Sequence, residues 1–573
     1  MKFEIVDLID AYRSGELVPT DVIREAYRRM ADRPEQPVWI HLIPEAESLA
    51  RAEGLGAFDE KRPLYGIPFA VKDNIDLAGV PTTAGCPAYA YTPEKSATVV
   101  ERLMAAGAIP LGKTNLDQFA TGLVGTRSPY GACSSEFGAT YISGGSSSGS
   151  AVAVAAEFVS FSLGTDTAGS GRVPAAFNNL VGLKPTKGAF SAAGVVPACR
   201  TLDCVSVFAA TVEDAGIVFE VAQGFDAADA YSLRPGQAKA WGKRFRFGVP
   251  AKELLEFFGD AESEKLYWAA VEKFEAAGNT RVEFEYSIFR DAADLLYSGP
   301  WVAERYTAIK EFIGAHSADM YPVTAKIILG AEKYTASDVF AATYKLAELA
   351  RMAEREWTKM DMMLLPTAGT IYTHDQIALE PVKSNTNLGY YTNFVNLLDL
   401  AALAIPAGFR PDGLPFGVSL IGPAWSDRAL LESAGEFAYC PTGYVPLAVC
   451  GAHLSGMPLN WQLTQVGAIL LENTTTSAEY RFYALRGTVP AKPGLVKVSK
   501  GGSAIEVEVW AVPLAAFGNF VANVPAPLAI GSCTLDGGRV VKSFVCEAIG
   551  VEGAEDITGL GGWRAFVKRQ IPK

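Results

Sequence analysis

Three features of the sequence predict an α/β fold with a mixed central sheet covered by helices, followed by a smaller, mainly β domain. Residues 64–115 alternate short apolar runs, IPFAVKD and GAIPLGKTN, with helical text such as ATVVERLMAAG, as strands joined by crossover helices do. Residues 261–277 carry Tyr267, Ala270, Val271 and Phe274 on one helical face with Gly278 at the end, and RVEFEY follows at the period of a strand. From about 446 the chain becomes Val- and Gly-rich and strand-like, in KPGLVKVSKGGSAIEVEVWAVPL and SCTLDGGRVVKSFVCEAIGV.

Taken in order, the opening reads as two helices, the second with Thr20 as N-cap, Asp21 in its first turn and Arg28 and Arg29 in its last, matching the helix dipole. Its charges leave no room for the apolar core of a signal peptide. The ten residues Leu400 to Phe409 are among the longest uncharged apolar runs, too short for a membrane span. Pro and Gly in YCPTGYVPLAVCG (439–451) punctuate the helical pattern and set the domains at 1–443 and 446–573. Asp536-Gly537-Gly538 between two apolar runs signals a hairpin.

Composition narrows the function classes. With 50 Lys and Arg against 63 Asp and Glu, the net charge of −13 argues against a protein that grips nucleic acid, and any anionic substrate needs a local cationic pocket. The four histidines (41, 316, 374, 453) and eight scattered cysteines show no zinc-ligand or CxxC spacing, so no metal is expected and the thiols read as reduced, buried and cytoplasmic.

Chemistry concentrates in 143–150, SGGSSSGS. Gly144 and Gly149 have the spacing of a phosphate-binding P-loop, but no Lys follows Gly149, so that reading fails. Gly145-Ser146-Ser147-Ser148-Gly149 matches the letters of a nucleophile elbow, with Ser147 as the nucleophile of an α/β-hydrolase; alone, the run also reads as a flexible linker. Twenty-four residues after Ser146 comes Ser170, within Gly164-Thr165-Asp166-Thr167-Ala168-Gly169-Ser170-Gly171-Arg172, where small residues allow backbone N–H groups to converge on an oxyanion. Lys72 ends the apolar run Ile67 to Val71; read alone, it is a surface lysine.

Together AVKDNI (70–75), GGSSSGSA (144–151) and GTDTAGSGRVPAA (164–176) resemble the amidase signature family over roughly residues 1–440. The resemblance implies that family's fold and a Ser-Ser-Lys triad: Ser170 as nucleophile, Ser146 as bridging serine and Lys72 as base, without a cofactor. It places the N–H groups of Thr167, Ala168, Gly169 and Ser170 around the oxyanion, with Asp166 and Arg172 holding the loop. Ser148 stands where the family usually has Gly. A lysine base needs a pKa lowered from about 10.4 towards neutrality, about 4 kcal/mol of selective cost for the ammonium, which burial can supply.

Within the family, DQFATGLVGTRSPYG (117–131) and LLYSGPWVAERY (295–306) look like allophanate hydrolases. That resemblance implies that Tyr297 and Arg305 hold a substrate carboxylate; eight residues apart, they would share a face if one helix carried both. The C-terminal region resembles the appended domain of the same enzymes, with Cys450-Gly451-Ala452-His453-Leu454 similar to the first loop of gamma-glutamyl cyclotransferase-like (α+β, barrel-like) domains. There the implied task is breakdown of the first product, with His453, Asn460 and Gln462 as candidate residues. The expected activity is hydrolysis of the terminal amide of allophanate, beside a separate urea carboxylase or ring-opening hydrolase. No nucleic-acid or membrane partner is expected, and oligomeric state stays open between monomer and homodimer. The rival readings are another family amidase, broad-specificity or the glutaminase component of a tRNA-dependent amidotransferase, and a non-catalytic binding protein on the same fold.

Overall fold

A computed structural model describes residues 1, 3–242, 244–297, 299–437 and 444–570. The chain forms two units, Met1–Ala438 and Tyr439–Lys573. Residues 438–443, where the expected boundary begins, lie outside the described residues.

The first unit is built on an eleven-stranded mixed sheet. Its strands run in the spatial order Trp39–Leu42, Ile109–Thr114, Pro68–Lys72, Phe161–Asp166, Cys204–Ala209, Val181–Lys184, Ala401–Phe409, Pro415–Gly422, Met362–Pro366, Arg246–Pro250 and Thr280–Phe284. The Pro68–Lys72 strand lies parallel to both neighbours, Ile109–Thr114 and Phe161–Asp166. All residues of these three central strands are buried; Pro68–Lys72 and Ile109–Thr114 are apolar until their last residues, whereas Phe161–Asp166 carries Ser162, Thr165 and Asp166 inside the protein. The run Leu400–Phe409 supplies the nine-residue strand Ala401–Phe409.

Helices cover the sheet as the patterns at 98–105 and 261–276 anticipate; Tyr267, Ala270, Val271 and Phe274 are all buried. The second helix departs from expectation. It begins at Pro19 with Val18 as N-cap, so Thr20 is not the cap. Pro at the first helical position has no N–H to satisfy, and Asp21 Oδ2 accepts the Val18 N–H at 3.2 Å.

The second unit has its own core, including Leu447, Val449, Phe482, Val507, Val509 and Trp563. A five-stranded sheet runs in the order Ile469–Thr475, Glu506–Pro513, Tyr444–Val449, Val540–Cys546 and Leu528–Thr534. A three-stranded sheet joins Pro493–Lys497, Tyr480–Ala484 and Glu555–Asp556. The Asp536–Gly538 turn connects the antiparallel pair Leu528–Thr534 and Val540–Cys546, as its Asp-Gly-Gly text suggests.

Candidate active site

The parallel strands Pro68–Lys72 and Phe161–Asp166 deliver their last residues to one place, the carboxyl edge where open α/β sheets bind ligands. Lys72 is completely buried there, and its Nζ donates to Ser146 Oγ and Thr165 Oγ1, each at 2.8 Å. Burial pushes the Lys72 ammonium down to about 7, against the pull of the Asp117, Asp166 and Asp203 carboxylates and with a further push from Arg305. The surface role that Lys72 has when read alone is thereby excluded.

The Gly/Ser run is no linker: residues 142–154 are all buried. The Gly145 N–H donates to Leu123 O at 2.8 Å, the Asp117 N–H donates to Ser146 O at 3.0 Å, and the Gly145–Ser146 peptide is cis. A Cβ on Gly145 would stand 2.3 Å from Asp117 Oδ2, so only glycine permits this approach. Ser147 precedes the helix Ser148–Ala155, and its Oγ donates to Thr165 O at 3.2 Å. Among the described residues no imidazole contacts it, so the elbow reading, which needs a Ser147–His pair, is wrong.

Ser170 is buried beyond the Phe161–Asp166 strand, and its Oγ donates to Gly122 O at 3.4 Å. The adjacent carbonyl of Leu123 takes the Gly145 N–H, so a single stretch of chain touches both serine loops. No hydrogen bond joins Ser146 to Ser170 among the described residues. The Asp166–Arg172 ion pair, with contacts at 2.8 and 3.0 Å, clamps the Ser170 loop from beneath. Burial works to raise the Asp166 carboxyl, yet Arg172 holds it below the ordinary value. Asn396 Nδ2 donates to Asp166 O at 2.8 Å, and Thr392 Oγ1 donates to Ala168 O at 2.6 Å.

One expected oxyanion donor is already engaged. Gly169 has φ +125°, and its N–H donates to Asp166 Oδ1 at 2.9 Å. Among the described residues the N–H groups of Thr167, Ala168 and Ser170 meet no protein acceptor. Asp203 is a member that sequence reading missed. It accepts from Thr167 Oγ1 at 2.5 Å and from the N–H groups of Ala198 and Cys199 at 2.8 and 3.1 Å, and burial raises its carboxyl to about 6. No motif surrounds it, so its only signal was an acidic residue before an apolar strand.

Tyr297 and Arg305 come together by a different route from the one expected. Tyr297 ends the helix Ser287–Tyr297 and Arg305 lies in a separate helix, Val302–Ala308. Gly299-Pro300 between them breaks a continuous helix. Even so, Arg305 Nη2 donates to Tyr297 Oη at 3.3 Å, and Nη1 donates to Thr121 Oγ1 and Ala120 O at 3.1 and 3.3 Å. Arg305 is buried and forms no ion pair among the described residues. Its hydrogen bonds go to neutral acceptors alone, and the Asp203 and Glu304 carboxylates act on it without a direct ion pair, so its guanidinium has room for a bound anion.

In the C-terminal unit, His453 and Gln462 line a cavity of about 490 Å³. His453 Nε2 lies 2.9 Å from Gln462 Oε1, and its ring stacks on Phe544 with centroids 4.9 Å apart. Burial holds the imidazole below its ordinary pKa, with Lys492 adding to the effect and Gln462 opposing it. Asn460 is not in the lining; its Nδ2 donates to His453 O at 2.9 Å and fixes the loop.

Comparison with known proteins fits this geometry. The Amidase family model matches residues 21–431, and the model for the allophanate hydrolase C-terminal domain matches residues 445–568. Urea amidolyase of Lachancea kluyveri is 46% identical over 575 aligned residues, covering 93% of this chain but 31% of that protein, so the chain spans about a third of that relative. The selenomethionine-substituted Kluyveromyces lactis allophanate hydrolase superposes with a TM-score of 0.72 at 43% identity, covering 98% of this chain and 99% of that one. The native peptide amidase of Stenotrophomonas maltophilia superposes with a TM-score of 0.64 at 28% identity, covering 76% of this chain and 96% of that one. The chain belongs to the amidase signature family, and its amidase domain is followed by an allophanate hydrolase C-terminal domain.

Proposed function

We propose that the chain is an allophanate hydrolase that cleaves the terminal amide of urea-1-carboxylate, releasing ammonia and N-carboxycarbamate. The observation that carries the reading is a buried lysine, its pKa lowered to about 7, bonded to Ser146 in the neighbourhood of a buried arginine that forms no direct ion pair among the described residues. In its neutral form Lys72 accepts a proton from Ser146, which takes one from Ser170 as Ser170 Oγ attacks the amide carbon. The N–H groups of Thr167, Ala168 and Ser170 receive the oxyanion. The proton returns to the leaving nitrogen, ammonia departs, and water attacks the acyl-enzyme by the same relay to free Ser170. Arg305 and Tyr297 hold the substrate carboxylate; a guanidinium fork suits a carboxylate as a lysine does not.

The domain division 1–443 and 446–573 gives each unit a task in this reading. The gamma-glutamyl cyclotransferase-like C-terminal unit, with His453 and Gln462 at its cavity, promotes decarboxylation of N-carboxycarbamate. The reading needs no metal or organic cofactor. It takes its substrate from a urea carboxylase or a ring-opening hydrolase and belongs in the cytoplasm. The glutaminase reading would employ Arg305 on the α-carboxylate of glutamine but gives no use to the second unit's cavity. Ammonia release by the purified protein from freshly prepared allophanate, glutamine and simple amides tests the choice. Preference for allophanate supports it, and preference for glutamine or simple amides overturns it.

A further inference from the structure

The C-terminal cavity has a charge pattern that defines its ligand. In a chain with 63 Asp and Glu against 50 Lys and Arg, no acidic residue among the described residues lines this space of about 490 Å³. Lys492 is its one lysine or arginine, and it forms no ion pair among the described residues. The rest of the polar lining is neutral and amide-rich: Gln462, Gln465, Asn519 and Asn523, beside His453.

The backbone that carries Lys492 is fixed. Its N–H donates to Thr488 Oγ1 at 2.9 Å, its carbonyl accepts from the Leu485 N–H at 3.1 Å, and the strand Pro493–Lys497 begins at the next residue. Phe520, Val524 and Phe544 supply apolar wall that limits screening by water. A half-buried lysine in such a lining, with amides but no carboxylate among the lining residues, is stabilised by a bound anion. The cavity is also far wider than a small dianion, so shape alone cannot select one. Charge must.

We propose that Lys492 is the anchor for a carboxylate in this cavity, and that the ligand class is a small dicarboxylate or N-carboxylated carbamate. The inference rests on the reading of the C-terminal unit given above and deepens it. Lys492 holds the carboxylate that the product retains. The C–N bond to the other carboxylate breaks, its electron pair passes to nitrogen, and nitrogen takes one proton from water or the His453 imidazole as carbon dioxide leaves.

The experiment uses the full-length enzyme with allophanate, following first-ammonia release and carbon dioxide release separately, with malonate as a non-reacting dicarboxylate probe. Lys492→Met slows the carbon dioxide phase about tenfold or more, as loss of one charge-assisted hydrogen bond implies, and Lys492→Arg restores most of it. Malonate inhibits that phase in the wild type and loses about tenfold in potency on Lys492→Met by the same reasoning. First-ammonia release, which depends on Ser170, reports the first unit, and thermal unfolding followed by circular dichroism reports that the C-terminal unit of each variant is folded. An unchanged carbon dioxide phase in Lys492→Met, or equal potency of malonate, overturns the anchor. If His453→Ala slows the phase while Lys492→Met does not, this inference alone fails. If neither does, the reading of the C-terminal unit fails with it.

Discussion

Lys72 decides how the site responds to pH. It works as a base only when neutral, and burial sets its pKa at about 7. Below that value each pH unit removes roughly tenfold of the neutral form, so kcat/KM falls as pH drops from 8 to 5. A profile flat down to pH 5 contradicts a lysine base. Lys72→Ala lowers kcat by about 10²–10⁴-fold, and Lys72→Arg does not rescue it, because a guanidinium stays charged. Arg305 has a separate signature. Arg305→Ala raises KM for allophanate by about thirtyfold or more, since removing one partner of a buried charged pair costs about 2–5 kcal/mol. Equal loss on neutral amides would assign Arg305 to structure instead. At this scale the sequence was legible where residue types form a motif: the resemblance carried by AVKDNI, GGSSSGSA and GTDTAGSGRVPAA singled out Lys72, Ser146 and Ser170, and the structure bonds Lys72 Nζ to Ser146 Oγ. Asp203 and the engaged Gly169 N–H were not legible, because both depend on which backbone groups the folded loop turns towards a carboxylate.

Among elements, the buried Gly/Ser loop is the most exacting. Gly145 lies against Asp117 and Gly125, with an added Cβ 2.3 Å from one and 2.5 Å from the other. Gly145→Ala therefore costs about 1–3 kcal/mol of stability through overpacking and displaces Ser146, so thermal unfolding and kcat both fall. An unchanged melting temperature would show that the loop has slack. Composition misleads in this segment: an all-Gly/Ser run suggests flexibility, yet tertiary burial and hydrogen bonds to Leu123 and Thr165 hold it. The helix bearing Tyr297 shows the opposite case. Gly299-Pro300 was a readable break, and eight-residue spacing suggested a shared face that the structure achieves instead with two helices. Thr20 lost its cap role for a similarly local reason, since Pro19 is better suited to the first helical position.

For the whole molecule, the strands Pro68–Lys72 and Ile109–Thr114 were legible because a sheet covered on both faces favours apolar runs. Their order in an eleven-stranded sheet was not, since it depends on pairings between strands as distant as Val181–Lys184 and Ala401–Phe409. Each unit has its own hydrophobic core, so a protein truncated after residue 438 retains first-ammonia release and loses only acceleration of the later step. A folded but inert truncated protein would make the C-terminal unit necessary for the first cleavage as well. The net charge of −13 gives the molecule no general attraction for an anion, so the carboxylate affinity proposed here is local, at Arg305 in one unit and Lys492 in the other. The central claim is that Ser170, activated through Ser146 by Lys72, opens the amide of allophanate. Its most direct test is ammonia release from freshly prepared allophanate by the full-length protein and by Ser170→Ala, with thermal unfolding recorded for both. Sustained release by the wild type and none above background from a Ser170→Ala protein of unchanged melting temperature is the predicted result; undiminished turnover by that variant would contradict it.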